Sequence, residues 1–129
     1  MNVKIIDILE KSISGYKVIL EIDNERITVE WDGSKPEKNV EYSIEIDIDD
    51  ELIWNNNIAL ATESTTSIKQ DENHINIVAK LDYNHEDNLA SLNMNGSVVL
   101  IDLDGMNKDI SNEWVKIQCS SIKVYNINL

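Results

Sequence analysis

Apolar and polar residues alternate with a period of two over most of this chain, the signature of half-buried β-strands. Tyr16, Val18, Leu20 and Ile22 share one face, with Lys17 and Glu21 opposite. Asp23-Asn24 follows, and Asn and Asp tolerate the positive φ of a primed hairpin turn. Ile27, Val29 and Trp31 run back from it, alternating with Thr28, Glu30 and Asp32. Gly33 to Asn39, with the only proline at Pro36, predicts a loop. The cleanest alternation comes next: Val40, Tyr42, Ile44, Ile46 and Ile48 are predicted to face in, and Glu41, Ser43, Glu45, Asp47 and Asp49 to face out.

The second half follows the same course. His74 to Tyr83 alternates through Ile75, Ile77, Ala79 and Leu81, and Asn95-Gly96 is a strong hairpin signal. Val98 to Leu103 is a near-continuous apolar run, which predicts burial on both faces. A last strand is expected from Trp114 to Tyr125. Asn55 to Asn73, rich in Ser, Thr and Asn, is expected to be a connector, and Leu52 to Leu60 to hold a short helical turn.

Shifted by 72 positions the chain nearly matches itself: Asp32-Gly33 falls on Asp104-Gly105, and Asp23-Asn24 on Asn95-Gly96. Val18, Leu20 and Ile22 fall on Ala90, Leu92 and Met94, and Val29 and Trp31 on Ile101 and Leu103. This predicts one strand unit written twice, at about 3–50 and 75–127. Ile5, Ile6, Leu9 and Ile13 also fit a helical stripe, but the match of Ile5, Ile6 and Leu9 to Ile77, Val78 and Leu81 favours a strand. The expectation is a single all-β domain over 1–129, a small OB-like barrel or sandwich whose closure removes exposed edges.

Charge narrows the range of partners. The chain of 129 residues carries a net charge of −13. Such a balance disfavours nucleic acid, whose phosphates need cations, and anionic membrane surfaces. It steers basic partners toward the protein. No apolar run approaches the roughly 18 residues of a spanning helix, and Asp7 interrupts the place where a signal peptide would need an apolar core. With the single Cys119, a cytoplasmic protein is expected.

The acidic strand is the sharpest candidate surface. Between Lys38 and Lys69 there is no basic residue, while the interval holds Glu41, Glu45, Asp47, Asp49, Asp50, Glu51 and Glu63. Side chains two apart on one strand face sit about 6.5–7 Å apart, so the row repels itself modestly. Either it guards a solvated edge strand, or it meets something cationic. Trp54, following Asp49-Asp50-Glu51, is a candidate anchor beside it. The expected partner-binding set is Glu41, Glu45, Asp47, Asp49, Asp50, Glu51 and Trp54.

Other chemistry is thin. Asp102 to Asp109 has the oxygen-rich composition of a calcium loop but not EF-hand spacing, so an Asp-Gly turn is expected there. His74 and His85 are the only histidines, eleven apart, with His85 in the polar loop Asn84 to Asn88, and Cys119 falls on the inward register with Val115 and Ile117, a buried hydrophobe. No CxxC, HExxH, GxSxG or phosphate-cradling glycine loop occurs. No catalytic residue, metal or cofactor is expected.

In size, acidity, lack of catalytic motifs and cytoplasmic character, the chain resembles the immunity proteins of bacterial contact-dependent inhibition and polymorphic toxin systems. That resemblance implies a non-enzymatic antitoxin that binds and neutralises a basic toxin domain, a nuclease above all. The competing expectation is an OB-like structural or adaptor module in a phage or secretion assembly, or a nucleic-acid mimic.

Overall fold

The computed structural model describes residues 1–127, and all of its regular elements are strands. In chain order they are β1 (Asn2–Lys11), β2 (Gly15–Ile22), β3 (Glu25–Asp32), β4 (Glu41–Asp47), β5 (Leu52–Ile53), β6 (Ile58–Leu60), β7 (Ser67–Gln70), β8 (Ile75–Asn84), β9 (Leu89–Met94), β10 (Ser97–Ile101), β11 (Leu103–Asp104), β12 (Ile110–Cys119) and β13 (Lys123–Asn126).

β1, β2, β3, β13 and β4 close into a barrel in that order. β1 to β3 are an antiparallel meander, and β4 returns to pair with β1. β13 fills the last gap, parallel to β3 and antiparallel to β4. This is the strand order of an OB-type Greek-key barrel. The β2–β3 turn has Asp23 at φ 49° and Asn24 at φ 66°, the two left-handed residues of a type I′ turn. β1 changes register between Ile5 and Asp7 and again between Ile8 and Glu10. Bulges of this kind bend a strand around a small barrel.

The second half takes the same path. β8, β9 and β10 form a meander, with a left-handed pair at Asn95 and Gly96 in its second turn. β12 pairs with β8 as β4 pairs with β1. β10 runs through Asp102 into β11, which pairs in parallel with β5, while β6 pairs antiparallel with β12. The fifth place is again parallel to the third strand and antiparallel to the fourth. Its occupant is the segment that follows β4, whereas the first barrel is closed by the segment that follows β12. Each half therefore completes the other.

Alternation fills the interior. Val18, Leu20, Ile22, Ile27, Val29, Trp31, Ile44 and Ile46 are buried in the first half, and Ile75, Ile77, Ala79, Leu81, Leu92, Val115 and Ile117 in the second. They belong to one continuous cluster that also contains Leu52 and Val124, the exchanged closing residues. Trp31 is 1% exposed, donates Nε1–H to the Ser34 carbonyl at 2.9 Å and meets Tyr42 edge-on at 5.1 Å between ring centroids. The Tyr42 hydroxyl accepts the Glu37 N–H at 2.9 Å, which ties the Gly33–Asn39 loop to the barrel wall.

Several expectations need correction. Asn55 to Asn73 is not a bare connector, because β6 and β7 lie within it. Leu52 to Leu60 is not helical: β5 and β6 flank a turn in which the Asn57 side chain accepts the Ile53 N–H and donates to the Glu51 carbonyl. Val98 to Leu103 is buried on one face only, since Val98 and Leu100 point outward at 67% and 64% exposure. The expected strand from Trp114 to Tyr125 is two strands, β12 and β13. Val40 is outside β4 and exposed, and Ile13 is fully exposed rather than part of an inward stripe.

Candidate functional site

The acidic row is not on an edge strand. β4 is paired on both sides, with β1 at Glu41 to Ser43 and with β13 at Ile44 to Asp47. The backbone there is already engaged, so any role of this row runs through side chains on the outer wall of the barrel.

Strand order brings further acids to it. Tyr125 of β13 lies between Glu45 of β4 and Asp32 of β3, and Lys123 lies between Asp47 and Glu30. The Tyr125 hydroxyl donates to Asp47 Oδ2 at 3.5 Å, and Lys123 Nζ stands 3.8 Å from Asp49 Oδ2. The face is thus a phenol flanked by Asp32 and Glu45 and influenced by Asp47 and Asp49, with Glu30 further along beside the cations Lys123 and Lys17. Loss of water around it pushes the Tyr125 phenol above its usual range. The carboxylates of Asp47, Asp32 and Asp49 act in the same sense, and Lys123 opposes them.

The rest of the expected set is dispersed. Glu41 sits across from Lys4 on β1, away from β13. Asp50 is turned to Ser120: its Oδ2 accepts the Ser120 N–H at 3.0 Å, and Oδ1 and Oδ2 accept the hydroxyl at 3.0 and 3.1 Å. That carboxylate is structural. Glu51 is exposed at the rim of a recess of about 380 Å³ shared with Asp102, Asp104 and His85. Trp54 is half-buried against the core, and its backbone N–H donates to the Asp104 carbonyl at 2.9 Å.

Glu45, Asp47 and Asp49 are therefore brought together, and Glu30, Asp32 and Tyr125 join them. The alternation that places Glu30 and Asp32 outward is visible in the sequence. What was missing is that β13 inserts between β3 and β4 and sets Tyr125 between their acids.

The recess beside Glu51 offers less. Tyr83 Oη stands 3.4 Å from His85 Nδ1 and donates to Asn88 Oδ1 at 3.2 Å. The His85 N–H donates to Asp109 Oδ1 at 2.8 Å. Asp104 Oδ1 accepts the N–H of Gly105, whose φ of 79° marks an Asp-Gly turn. Among the described residues no group of three or more His, Cys, Asp or Glu side chains is placed to hold a metal ion. Cys119 is buried, and burial, followed by the nearby Asp50 carboxylate, pushes its thiol up to about 12.

What the arrangement can do is attract and orient cations. Two unit charges 7 Å apart interact by about 0.6 kcal/mol through water. Each carboxylate is a weak contributor alone, and the group acts by its sum. The chain matches no protein-family model, and no curated protein and no solved structure was found to match it.

Proposed function

We propose that this protein is a non-enzymatic, cytoplasmic inhibitor of the immunity type, which neutralises a basic toxin domain, a nuclease above all. One observation carries the reading: the outer wall formed by β3, β13 and β4 gathers Asp32, Glu45, Asp47 and Asp49 around Tyr125. A nuclease must hold phosphates, so its cleft is cationic. A rigid wall of carboxylates competes for the same cations, and a half-exposed phenol adds an anchor with little side-chain entropy to lose. The net charge of −13 raises the encounter rate, toward 10⁸–10⁹ M⁻¹s⁻¹ at low salt for steered pairs in general.

The test is affinity capture of the tagged protein from its native host at low and at high salt, with bound proteins identified by mass spectrometry. The expected result is one stoichiometric basic protein, toxic when expressed alone and silenced by co-expression. A fixed set of structural partners, retained when Glu45 and Asp47 are reversed in charge, would favour the adaptor reading that the OB-type strand order also suits.

A further inference from the structure

We propose that Asn95 is a spontaneous modification site: the turn between β9 and β10 converts with age to aspartyl and isoaspartyl forms, Asn93 restrains the conversion, and the isoaspartyl form loosens β10. Asn95-Gly96 is the only Asn-Gly pair in the chain. Glycine has no side chain to shield its backbone nitrogen, so that nitrogen can attack the amide carbon of the asparagine before it. Both residues are exposed at the tip of the hairpin, with φ of 54° and 93°.

The chemistry needs only water. Gly96 N bonds to Asn95 Cγ, the Cγ–Nδ2 bond breaks, and Nδ2 leaves as ammonia with the Gly96 amide proton. Water then opens the five-membered imide. Attack at Cγ restores the ordinary backbone with an aspartate side chain. Attack at the Asn95 carbonyl carbon leaves the main chain running through Cγ, the isoaspartyl form. The Asp-Gly pairs at Asp32 and Asp104 offer the same nitrogen but only a carboxylate, a poorer electrophile, so conversion there lags.

The fold holds the first step back. The Gly96 N–H donates to Asn93 Oδ1 at 2.8 Å, and Met94 pairs with Ser97 across the turn. Turning Gly96 N toward Asn95 Cγ breaks the bond to Asn93, so Asn93 is a positioning residue that keeps the nitrogen away.

The two products act differently on the sheet. In the first hairpin Asp23 holds the matching place at φ 49°, so an aspartate side chain suits such a turn. The isoaspartyl form adds a main-chain atom to a two-residue loop, and loop length sets the register of the strands it joins. Val99 and Ile101 are buried through that register, on a strand that ends its sheet and takes its ladder bonds from β9.

The full chain, aged in mildly alkaline buffer both folded and in guanidinium chloride, is mapped by peptide mass spectrometry. Conversion is expected at Asn95 in the folded chain, more slowly than in the denatured one. Asn93→Ala should speed it about two- to tenfold, the weight of one net hydrogen bond. Asn93→Asp keeps an acceptor oxygen and should stay at or below the unaltered rate; it and the comparison with denatured chain decide the matter if Asn93→Ala fails to fold. The isoaspartyl fraction, separated by chromatography, should melt at a lower temperature than the Asn95→Asp variant, whose midpoint should match the unaltered chain. No conversion in the folded chain over a period that converts the denatured one, equal rates in both, or an isoaspartyl form as stable as the Asn95→Asp variant would each overturn the proposal.

Discussion

Ser120 and Asp50 bind each other at the point where the two halves trade strands. The Ser120 N–H and hydroxyl both donate to the Asp50 carboxylate, at 3.0 to 3.1 Å. Asp50 lies on the connection that leaves β4 for the second unit, and Ser120 on the one that leaves β12 for the first. Beside them, Lys123, the first residue of β13, pairs with Asp49 on the connection that leaves β4. A backbone bond joins these contacts, the Glu30 N–H donating to the Ile122 carbonyl at 3.1 Å. The exchange makes Leu52 a core residue of the second unit and Val124 a core residue of the first, both fully buried.

Exchange of closing strands predicts that the halves unfold together. Trp31 reports on the barrel, and Trp114, with the ammonium of Lys80 5.2 Å from its ring centroid, reports on the second half. Urea unfolding followed by tryptophan fluorescence and by circular dichroism should give one coincident transition. Asp50→Ala should lower stability by about 1–2 kcal/mol, as expected for a charge-assisted hydrogen bond, and still give one transition. Two separated transitions in the unaltered chain would show that the halves are independent.

Trp31→Ala should cost about 3–5 kcal/mol, the usual range for deleting a buried aromatic. The loss includes the edge contact to Tyr42 and the bond that holds the Ser34 carbonyl. A thermal melt with an unchanged midpoint would contradict the central place of this ring. Gly15 constrains the same region: a Cβ there would lie 1.8 Å from the Trp31 carbonyl oxygen. Gly15→Ala should therefore also destabilise, by about 1–3 kcal/mol as for overpacking elsewhere.

The strand class and the hairpins were legible because they depend on neighbours in sequence. Asp23-Asn24 and Asn95-Gly96 adopt the left-handed conformations their chemistry favours, and Val18, Leu20 and Ile22 alternate into the core as written. The N-terminal segment was ambiguous for a structural reason. Bulges after Ile5 and after Ile8 shift the inward register, so Ile5, Ile6 and Leu9 fall out of strict alternation and imitate a helical stripe. β6 and β7 were missed because they are short and flanked by Ser, Thr and Asn; β6 pairs with the distant β12, and β7 pairs with its neighbour β8 across a turn at 71–74 that carries no Gly or Pro. The acidic face was half legible. Its row on β4 follows from period two, but Tyr125 and Asp32 join it only through the placement of β13, a pairing across almost the whole chain.

Cys119 should behave as an inert thiol in the folded protein. It is 1% exposed, its Sγ–H points to the Ile75 carbonyl at 3.6 Å, and its pKa is pushed up to about 12, by burial first and then by Asp50. At pH 8 a thiol reagent should label it only through unfolding, so the labelling rate should rise with urea in step with the loss of fluorescence. A group whose folded pKa is raised contributes stability fully below its unfolded pKa. The fold should thus weaken as pH climbs from the ordinary thiol range, near 8.5, toward 12. Rapid labelling in native buffer would contradict the buried register of β12.

Reversing charge on the wall should slow association with a basic partner and leave the fold intact. Glu45 is exposed and Asp47 half-exposed on the outer wall of β4, so Glu45→Lys and Asp47→Lys bury nothing new. Stopped-flow association should slow by about tenfold at low salt, with dissociation changed less, and the gap should close as salt rises. Association rates unchanged by the double variant would remove the steering argument.

The Tyr125 phenol supplies a measure of the same field that needs no partner. Water loss around it, reinforced by Asp47, Asp32 and Asp49 against Lys123, raises its pKa above the ordinary value near 10. Ultraviolet titration of the full chain, with Tyr125→Phe as the subtraction, isolates this one residue. Asp47→Asn removes the largest carboxylate charge acting on the phenol while keeping an acceptor oxygen for its hydroxyl, so the phenol should titrate lower in that variant. Asp32→Asn should have the same sign and a smaller effect, and high salt should reduce both. The sign also fixes a pH dependence. The stability linked to this phenol is intact below pH 10 and declines as pH rises from there toward the folded pKa, and Asp47→Asn should lessen that decline. A phenol that titrates as in a free peptide, and is indifferent to both variants, would mean that the carboxylates of β3 and β4 do not act together on β13.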